Sequence, residues 1–292
     1  MKKMNAALMA AFVLTLGMTT GAWAAPATTA NVSVDSPYYG YIEKLSAMGY
    51  LDTMPNGSKP YSRMQMAQWV VQAQDKAQTK PMPKYLSDEV EALAQYVAPE
   101  VATLRGEKTY DPLKLRSVSL TAAAQLSDTP RHSYSRVVNA GWQTFGADRN
   151  GYKYGRDGNG ILEAEISGNI GHETAIALRP RFSYDKDNDF SASLEEGYIK
   201  PRAGIWAFEA GKQAMTWGQG ETGNLALGDN MRPLTTIQAH FIEPQKVGGF
   251  FRFLGQADVH LFYGFLEGDR RDRAAALGYK DYDDAGLIGI RA

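Results

Sequence analysis

Three groups of side chains have types and spacings that could do chemistry. Gly218, Gly220 and Gly223 spell G-x-G-x-x-G. That fingerprint binds a dinucleotide only between a strand and a helix, where the helix N-terminus meets the pyrophosphate. Asn224-Leu225-Ala226-Leu227-Gly228 follows instead, with a further glycine and no amphipathic helix. Asp185, Asp187 and Asp189 alternate, and Glu196 stands eleven residues after Asp185, in imitation of a calcium loop. Such a loop turns on a glycine at its sixth position. Phe190 stands there and opens a strand, so a solvated hairpin is expected. Glu163, Glu165, Glu173, Arg179, Arg181 and Glu209 form the third group. Paired carboxylates could hydrolyse a glycoside, but the linear order sets no two at a catalytic separation. Arg–carboxylate cross-links on a charged inner face are the plainer expectation. No G-x-S-x-G elbow or H-E-x-x-H helix occurs. Cysteine is absent, and His132, His172, His240 and His260 are not spaced as a metal pair. The expectation is no catalytic residue, no metal site, no cofactor and no enzyme.

The elements that must position these residues begin with an export signal. Lys2 and Lys3 precede the apolar run Ala6 to Leu16, and Ala22-Trp23-Ala24 supplies a small-x-small cleavage pattern. Residues 1–24 therefore read as a secretory signal peptide. No later run approaches the roughly 18 apolar residues of a membrane helix, so any membrane insertion must use strands. The chain has 31 basic and 32 acidic residues. Without a basic excess, nucleic acid is not an expected partner.

Residues 25–35 are small and polar and read as a linker. Residues 36–110 carry a helical period. Ser36-Pro37 looks like an N-cap with Pro at the first helical position, and Tyr38, Tyr41, Ile42, Leu45 and Met48 make one apolar face. Ser62-Arg63-Met64-Gln65 spells a capping box ahead of Met66, Trp69, Val70 and Ala73. A third stretch, expected from about Ser87, carries Val90, Leu93, Ala94 and Val97, and Pro99 must kink or end it. Tyr41, Leu45, Trp69 and Val70 are the expected interior of this small helical module.

From residue 111 to residue 292 the period becomes two. Leu162, Ala164 and Ile166 oppose Glu163, Glu165 and Ser167; Ile176, Leu178, Phe182 and Tyr184 oppose Arg179, Arg181 and Ser183. The same alternation runs through Trp206–Gln213, Thr235–Phe241 and Asp258–Phe265. The longer segments run about ten to twelve residues, whereas ordinary strands peak near five to six and membrane-spanning strands need about nine to eleven. Aromatic residues at segment ends, such as Tyr184, Tyr198, Trp206 and Tyr263, fit an interfacial girdle. The expected fold class is mainly β: an antiparallel outer-membrane β-barrel preceded by the helical module. The last residues, Ile288 to Ala292, read as the inside of a strand without a terminal aromatic. A C-terminally incomplete barrel is therefore expected.

Two stretches carry a resemblance. The first is Ser36-Pro37-Tyr38-Tyr39, Ile42-Glu43-Lys44-Leu45, Met48-Gly49-Tyr50-Leu51 and Pro60-Tyr61-Ser62-Arg63. The second is Gly211-Lys212-Gln213, Trp217-Gly218-Gln219-Gly220, Asn224, Asn230 and Arg232-Pro233. Together they resemble the capsule-assembly Wzi family, outer-membrane barrels of about eighteen strands with a helical bundle. The resemblance implies a non-enzymatic, lectin-like role at the cell surface. Capsular or extracellular polysaccharide and outer-membrane lipid are then the implied partners. Trp217, Asn224, Asn230 and Arg232 are the candidate polysaccharide contacts. An indole among glycines could stack on a sugar ring, and the amides and guanidinium could bond its hydroxyls or an acidic group. A rival reading makes Trp217-Gly218 a structural kink that folds the loop inward. The first stretch alone also resembles an S-layer-homology module. Ser62 and Arg63 then become candidate contacts to peptidoglycan or another cell-wall polymer, and the protein a tether. Gln65 replaces the acidic residue usual in that motif. A diffusion porin is the third alternative.

Overall fold

The computed structural model describes residues 28–52, 58–107, 111–125, 154, 157–186, 189–218, 227, 231–266 and 286–291. The expected signal peptide, residues 1–24, lies outside them. The chain is mainly β. Among the described residues four helices come first: α1 (Tyr38–Ala47), α2 (Arg63–Ala77), α3 (Lys84–Tyr96) and α4 (Ala98–Leu104). The strand β1 (Ser58–Lys59) lies between α1 and α2. The long strands follow: β2 (Lys114–Gln125), β3 (Asp157–Asn169), β4 (Thr174–Asp185), β5 (Asp189–Ala203) and β6 (Trp206–Gln213). After the two-residue β7 (Thr216–Trp217) come β8 (Leu234–Phe241), the short pair β9 (Gln245–Lys246) and β10 (Gln256–Ala257), β11 (His260–Phe265) and β12 (Gly286–Arg291).

Local chemistry explains the helices. The capping box at α2 is complete: Ser62 Oγ accepts from the Gln65 N–H, and Gln65 Oε1 accepts from the Ser62 N–H at 2.9 Å. Pro99 stands in the first turn of α4, so the chain breaks at Val97 between α3 and α4. Two starts differ from expectation. The first helix begins at Tyr38 with Pro37 at its cap, and α3 begins at Lys84. The earlier start of α3 places Leu86, which the sequence reading left out, fully in the core. Ile42, Leu45, Met66, Trp69, Val70, Ala73, Leu86, Val90 and Leu93 form that core, and Tyr41 packs at its edge, half-buried.

One antiparallel sheet contains eight strands in the order β12-β11-β8-β6-β5-β4-β3-β2. Every long connection is between sequence neighbours or skips only short elements, which is meander topology. No pairing joins β2 to β12 among the described residues, so the described sheet has two ends. A bulge between Arg179 and Pro180 in the β4–β5 ladder absorbs the proline. At Gly211, φ is +145° and an added Cβ would strike the carbonyl of Gly197, so this ladder closes only on glycine.

The alternation sorts the two faces as expected. Leu120, Leu162, Leu178, Phe182, Phe208, Leu261, Phe265 and Ile288 are large apolar residues exposed on the outer face. Glu163, Arg179, Arg181, Glu196, Lys200, Glu209 and Gln238 point the other way, toward the helices.

Residues 28–35 fall inside the expected linker, yet they are a packed seam. Thr28, Thr29, Ala30 and Val32 are all 3% exposed or less. The Val32 N–H donates to the Tyr61 carbonyl, and the Arg63 N–H to that of Ala30. The other side of the seam faces the sheet.

Candidate functional site

The seam and the inner face of the sheet meet through long-range polar contacts. Arg179 on β4 makes a bidentate pair with Asp35, at 2.6 and 3.1 Å, and donates to Ser33 Oγ at 2.8 Å. Burial alone would raise the Asp35 carboxyl. The hydrogen bonds and charge of Arg179 outweigh it and hold Asp35 below its ordinary value of 3.8. Neighbouring inward positions form a ladder of opposite charges: Glu163 takes Arg181 at 3.2 Å and Arg179 at 3.5 Å. Tyr96 of α3 donates to Glu165 at 3.2 Å. The expected Arg–carboxylate cross-links are therefore present, and they extend into the helices.

Next to this ladder, Glu209 on β6 is 2% exposed. Its Oε2 accepts from Asn31 Nδ2 at 3.0 Å and lies 3.7 Å from His240 Nε2 and 4.0 Å from Lys200 Nζ. Lys200 donates to Asn31 Oδ1 at 2.5 Å, and Tyr198 OH accepts from the Asn31 N–H at 2.8 Å. Thus one seam residue, Asn31, is held by three strand side chains. His260 sits 2.7 Å from Gln238 Oε1, and the His240 and His260 rings are 5.1 Å apart.

These groups line a cavity of about 730 Å³ between α2, the seam and the sheet. Tyr61, Gln65 and Gln68 line its helical side; Lys200, Glu209, Gln213, Gln238 and His240 line its sheet side. Gln68 reaches across to Glu243 at 2.7 Å. No group of three acidic or histidine side chains among the described residues is arranged to hold a metal ion.

Trp217 differs from its expectation as an exposed, stacking indole. It is 8% exposed and packs with Met215, Leu227, Leu234 and Phe262. Its ring meets Phe262 edge-on at 4.8 Å and His260 at 5.1 Å. β7 pairs with β1, with Trp217 opposite Ser58. Both covers come from far along the chain, so a local reading of Trp among glycines could not see them. The Phe262 ring lies where a side chain at Gly289 would stand, so that glycine makes its seat. The rival reading, an inward fold at Trp217-Gly218, matches this geometry. Arg232 is exposed. Asn224 and Asn230 lie outside the described residues, so the four candidates are not seen together.

Ser62 and Arg63 are engaged inside the helical module. Ser62 caps α2, and Arg63 is 1% exposed. Arg63 pairs with Glu100 at 2.8 and 3.2 Å, donates to the Tyr96 carbonyl and lies over the Tyr96 ring at 4.5 Å. Burial would lower its pKa, but Glu100 overrides this and raises it. In this conformation the guanidinium presents no surface to an external polymer. Of the calcium-like set, Asp185 and Asp189 face each other across the β4–β5 hairpin, and Asp187 lies outside the described residues.

Sequence reading missed Asn31 and Asp35. Their partners are more than 140 residues away, and no local pattern marks them. Glu209 and His240 were visible only as polar positions of their strands, and Lys200 was not singled out.

Comparison with known proteins supplies the family. No curated protein and no solved structure matches the chain. The family model of the capsule assembly protein Wzi matches residues 127–280, more than half of the 292 residues and most of the sheet. The chain belongs to the Wzi capsule assembly protein family.

Proposed function

We propose that this protein sits in the outer membrane and holds capsular polysaccharide at the cell surface without catalysing a reaction. Family membership supports the capsule role. The observation that carries the membrane seat is the outer face of the sheet, where Leu120, Leu162, Phe182 and Ile288 are 77%, 42%, 41% and 71% exposed. A contiguous apolar face of this extent suits lipid rather than water. Its polar opposite face is occupied by the helices, which argues against a wide open pore.

Polysaccharide would be held by many weak contacts on a repeating polymer, where linked repeats raise avidity without one tight site. Arg232, with Asn224 and Asn230, remains the candidate outer contact set. Trp217 then serves as the anchor that fixes the start of their segment. The test is deletion of the gene, followed by measurement of cell-bound against shed polysaccharide. Shedding in the deletion strain, rescued by the wild-type gene, is the expected result. Arg232→Ala should raise the shed fraction while heat-modifiable gel mobility stays normal. A deletion strain that keeps its capsule overturns the proposal. If its outer membrane also detaches from the wall, the tether reading replaces it.

A further inference from the structure

We infer that the β9–β10 hairpin is a binding site for anionic phospholipid headgroups at the edge of the membrane. The inference rests on the membrane seat of the proposed function and adds a place and a lipid class to it. The connection from β8 to β11, residues 242–259, lies at the end of the sheet where the other turns are short. Residues 170–173 join β3 to β4 there, and Gly204 and Ile205 join β5 to β6. The segments 126–156 and 266–285 join strands at the opposite end. Outer-membrane sheets carry short turns on the periplasmic side and longer loops outside. The hairpin therefore stands on the side of the periplasmic, phospholipid leaflet.

Its base is fixed and its tip is exposed. The Phe241 N–H donates to the Val259 carbonyl, the Ile242 N–H to that of Ile205 and the Val247 N–H to that of Gly255, each at 3.0 Å. Asp258 accepts from Arg291 at 3.3 Å. Between β9 and β10 the chain reads Gly248-Gly249-Phe250-Phe251-Arg252-Phe253-Leu254-Gly255, with a 3-10 turn over Gly249–Leu254. Gly249 and Gly255 bracket that turn at φ +64° and +76°, a conformation glycine adopts without steric cost. Phe253 is 71% exposed, and Arg252 and Lys246 are exposed beside it in sequence.

Aromatic rings with cations beside them suit the bilayer interface, where rings rest at headgroup level and cations meet phosphate. The neighbouring strand ends continue the apolar outer face. Trp206 shares the face of the exposed Phe208, and its ring meets Phe241, its partner in the ladder, at 4.5 Å. Charge selects the class of lipid. Residues 244–257 contain Lys246 and Arg252 and no acidic residue. Neither cation has an ion-pair partner among the described residues. The flanking acids are engaged elsewhere, Glu243 by Gln68 at 2.7 Å and Asp258 by Arg291. A guanidinium matches phosphate oxygens two at a time, and both cations gain more from a net-negative lipid surface than from a zwitterionic one.

The test uses the full-length protein in vesicles of phosphatidylcholine with phosphatidylglycerol. Phe253→Cys supplies one cysteine to a chain that has none and carries a bimane fluorophore. Phosphatidylglycerol or phosphatidylcholine with a nitroxide on its acyl chain is the quencher. A nitroxide near the headgroup is expected to quench more than one deep in the chain. Phosphatidylglycerol is expected to associate about fivefold more strongly than phosphatidylcholine, the scale of one cation at an anionic surface. Lys246→Gln combined with Arg252→Gln should make the two lipids equal while the label stays shallow. Heat-modifiable mobility shows which variants fold, and Gln256→Cys carries the label if Phe253→Cys does not assemble. Quenching by aqueous iodide and by neither lipid overturns the inference and leaves the tip to a periplasmic partner. Equal quenching by the two lipids before the cations are removed, or a preference that survives their removal, also overturns it. Labels at Leu162→Cys and Phe182→Cys in the same vesicles read the membrane seat separately. If lipid quenches these and not the hairpin label, only the hairpin site fails; if lipid quenches none of them, the membrane seat fails with it.

Discussion

The helical module and the sheet solve burial in opposite ways. The helices gather Ile42, Leu45, Met66, Val70 and Leu93 inward, with one buried ion pair, Arg63–Glu100, among them. The sheet turns its large apolar residues outward and keeps Glu163, Arg181, Lys200 and Glu209 within. Water around the first and lipid around the second would each produce the pattern seen, because apolar surface goes wherever water is absent. The seam 28–35 belongs to both regimes. Val32 enters the helical core, while Asn31 and Asp35 join the polar face of the sheet. Docking the two therefore needs matched polar groups rather than a second dry core.

The comparison can be broken most severely inside the helices. Trp69→Ala should cost about 3–5 kcal/mol through lost packing, read as a lower unfolding midpoint of the helical signal. Glu100→Ala should cost a similar amount, about 3–5 kcal/mol, because Arg63 would remain buried and uncompensated; Arg63→Met with Glu100→Leu should recover much of it. On the sheet the same kind of change acts by face. Leu178→Arg should cost about 2–4 kcal/mol if the position lies near the membrane midplane, and it should reduce assembled, heat-modifiable protein. An equally tolerated Leu178→Arg and Leu178→Ala would undo the contrast between the regions.

At the seam the expected effects are smaller. Asp35→Asn should weaken helix docking by about 1.5–3 kcal/mol, the scale of hydrogen bonds to a charged group. Proteolysis near residues 28–35 should then become faster. Because Asp35 is held below its ordinary value of 3.8, its contribution is complete above that pH and is lost as pH falls through the lower folded-state value. Wild-type docking should loosen in that acid range, and Asp35→Asn should show a shallower acid loss. The exposed pair Lys84–Asp88, 88% and 62% exposed at its side chains, should matter by no more than about 0.5 kcal/mol when Lys84 is changed to Ala.

Much of this arrangement was legible because it is periodic or local. Ser62 and Gln65 sit three residues apart, so their capping box can be read directly. The alternation of Leu162 with Glu163, or Phe182 with Arg181, assigns faces without knowledge of neighbours. What stayed hidden is non-local. Pairing of Asn31 with Glu209, and burial of Trp217 under Phe262 and β1, depend on strand register and on how the helices dock. Residues 25–35 looked like a linker because small polar side chains carry no period, yet the backbone at Thr28, Ala30 and Val32 is held by Asn169, Arg63 and Tyr61.

The opposed faces of the sheet can be measured directly, and the absence of cysteine gives a clean background. Single cysteines at Leu162, Phe182 and Ser183, spin-labelled in outer-membrane vesicles, report access to lipid-soluble oxygen and to an aqueous nickel chelate. Labels at Leu162 and Phe182 are expected to favour oxygen, and the label at Ser183, one residue on and facing inward, to favour nickel. Equal access at Phe182 and Ser183, or nickel access at Leu162 and Phe182, would contradict a sheet that turns its apolar face to lipid.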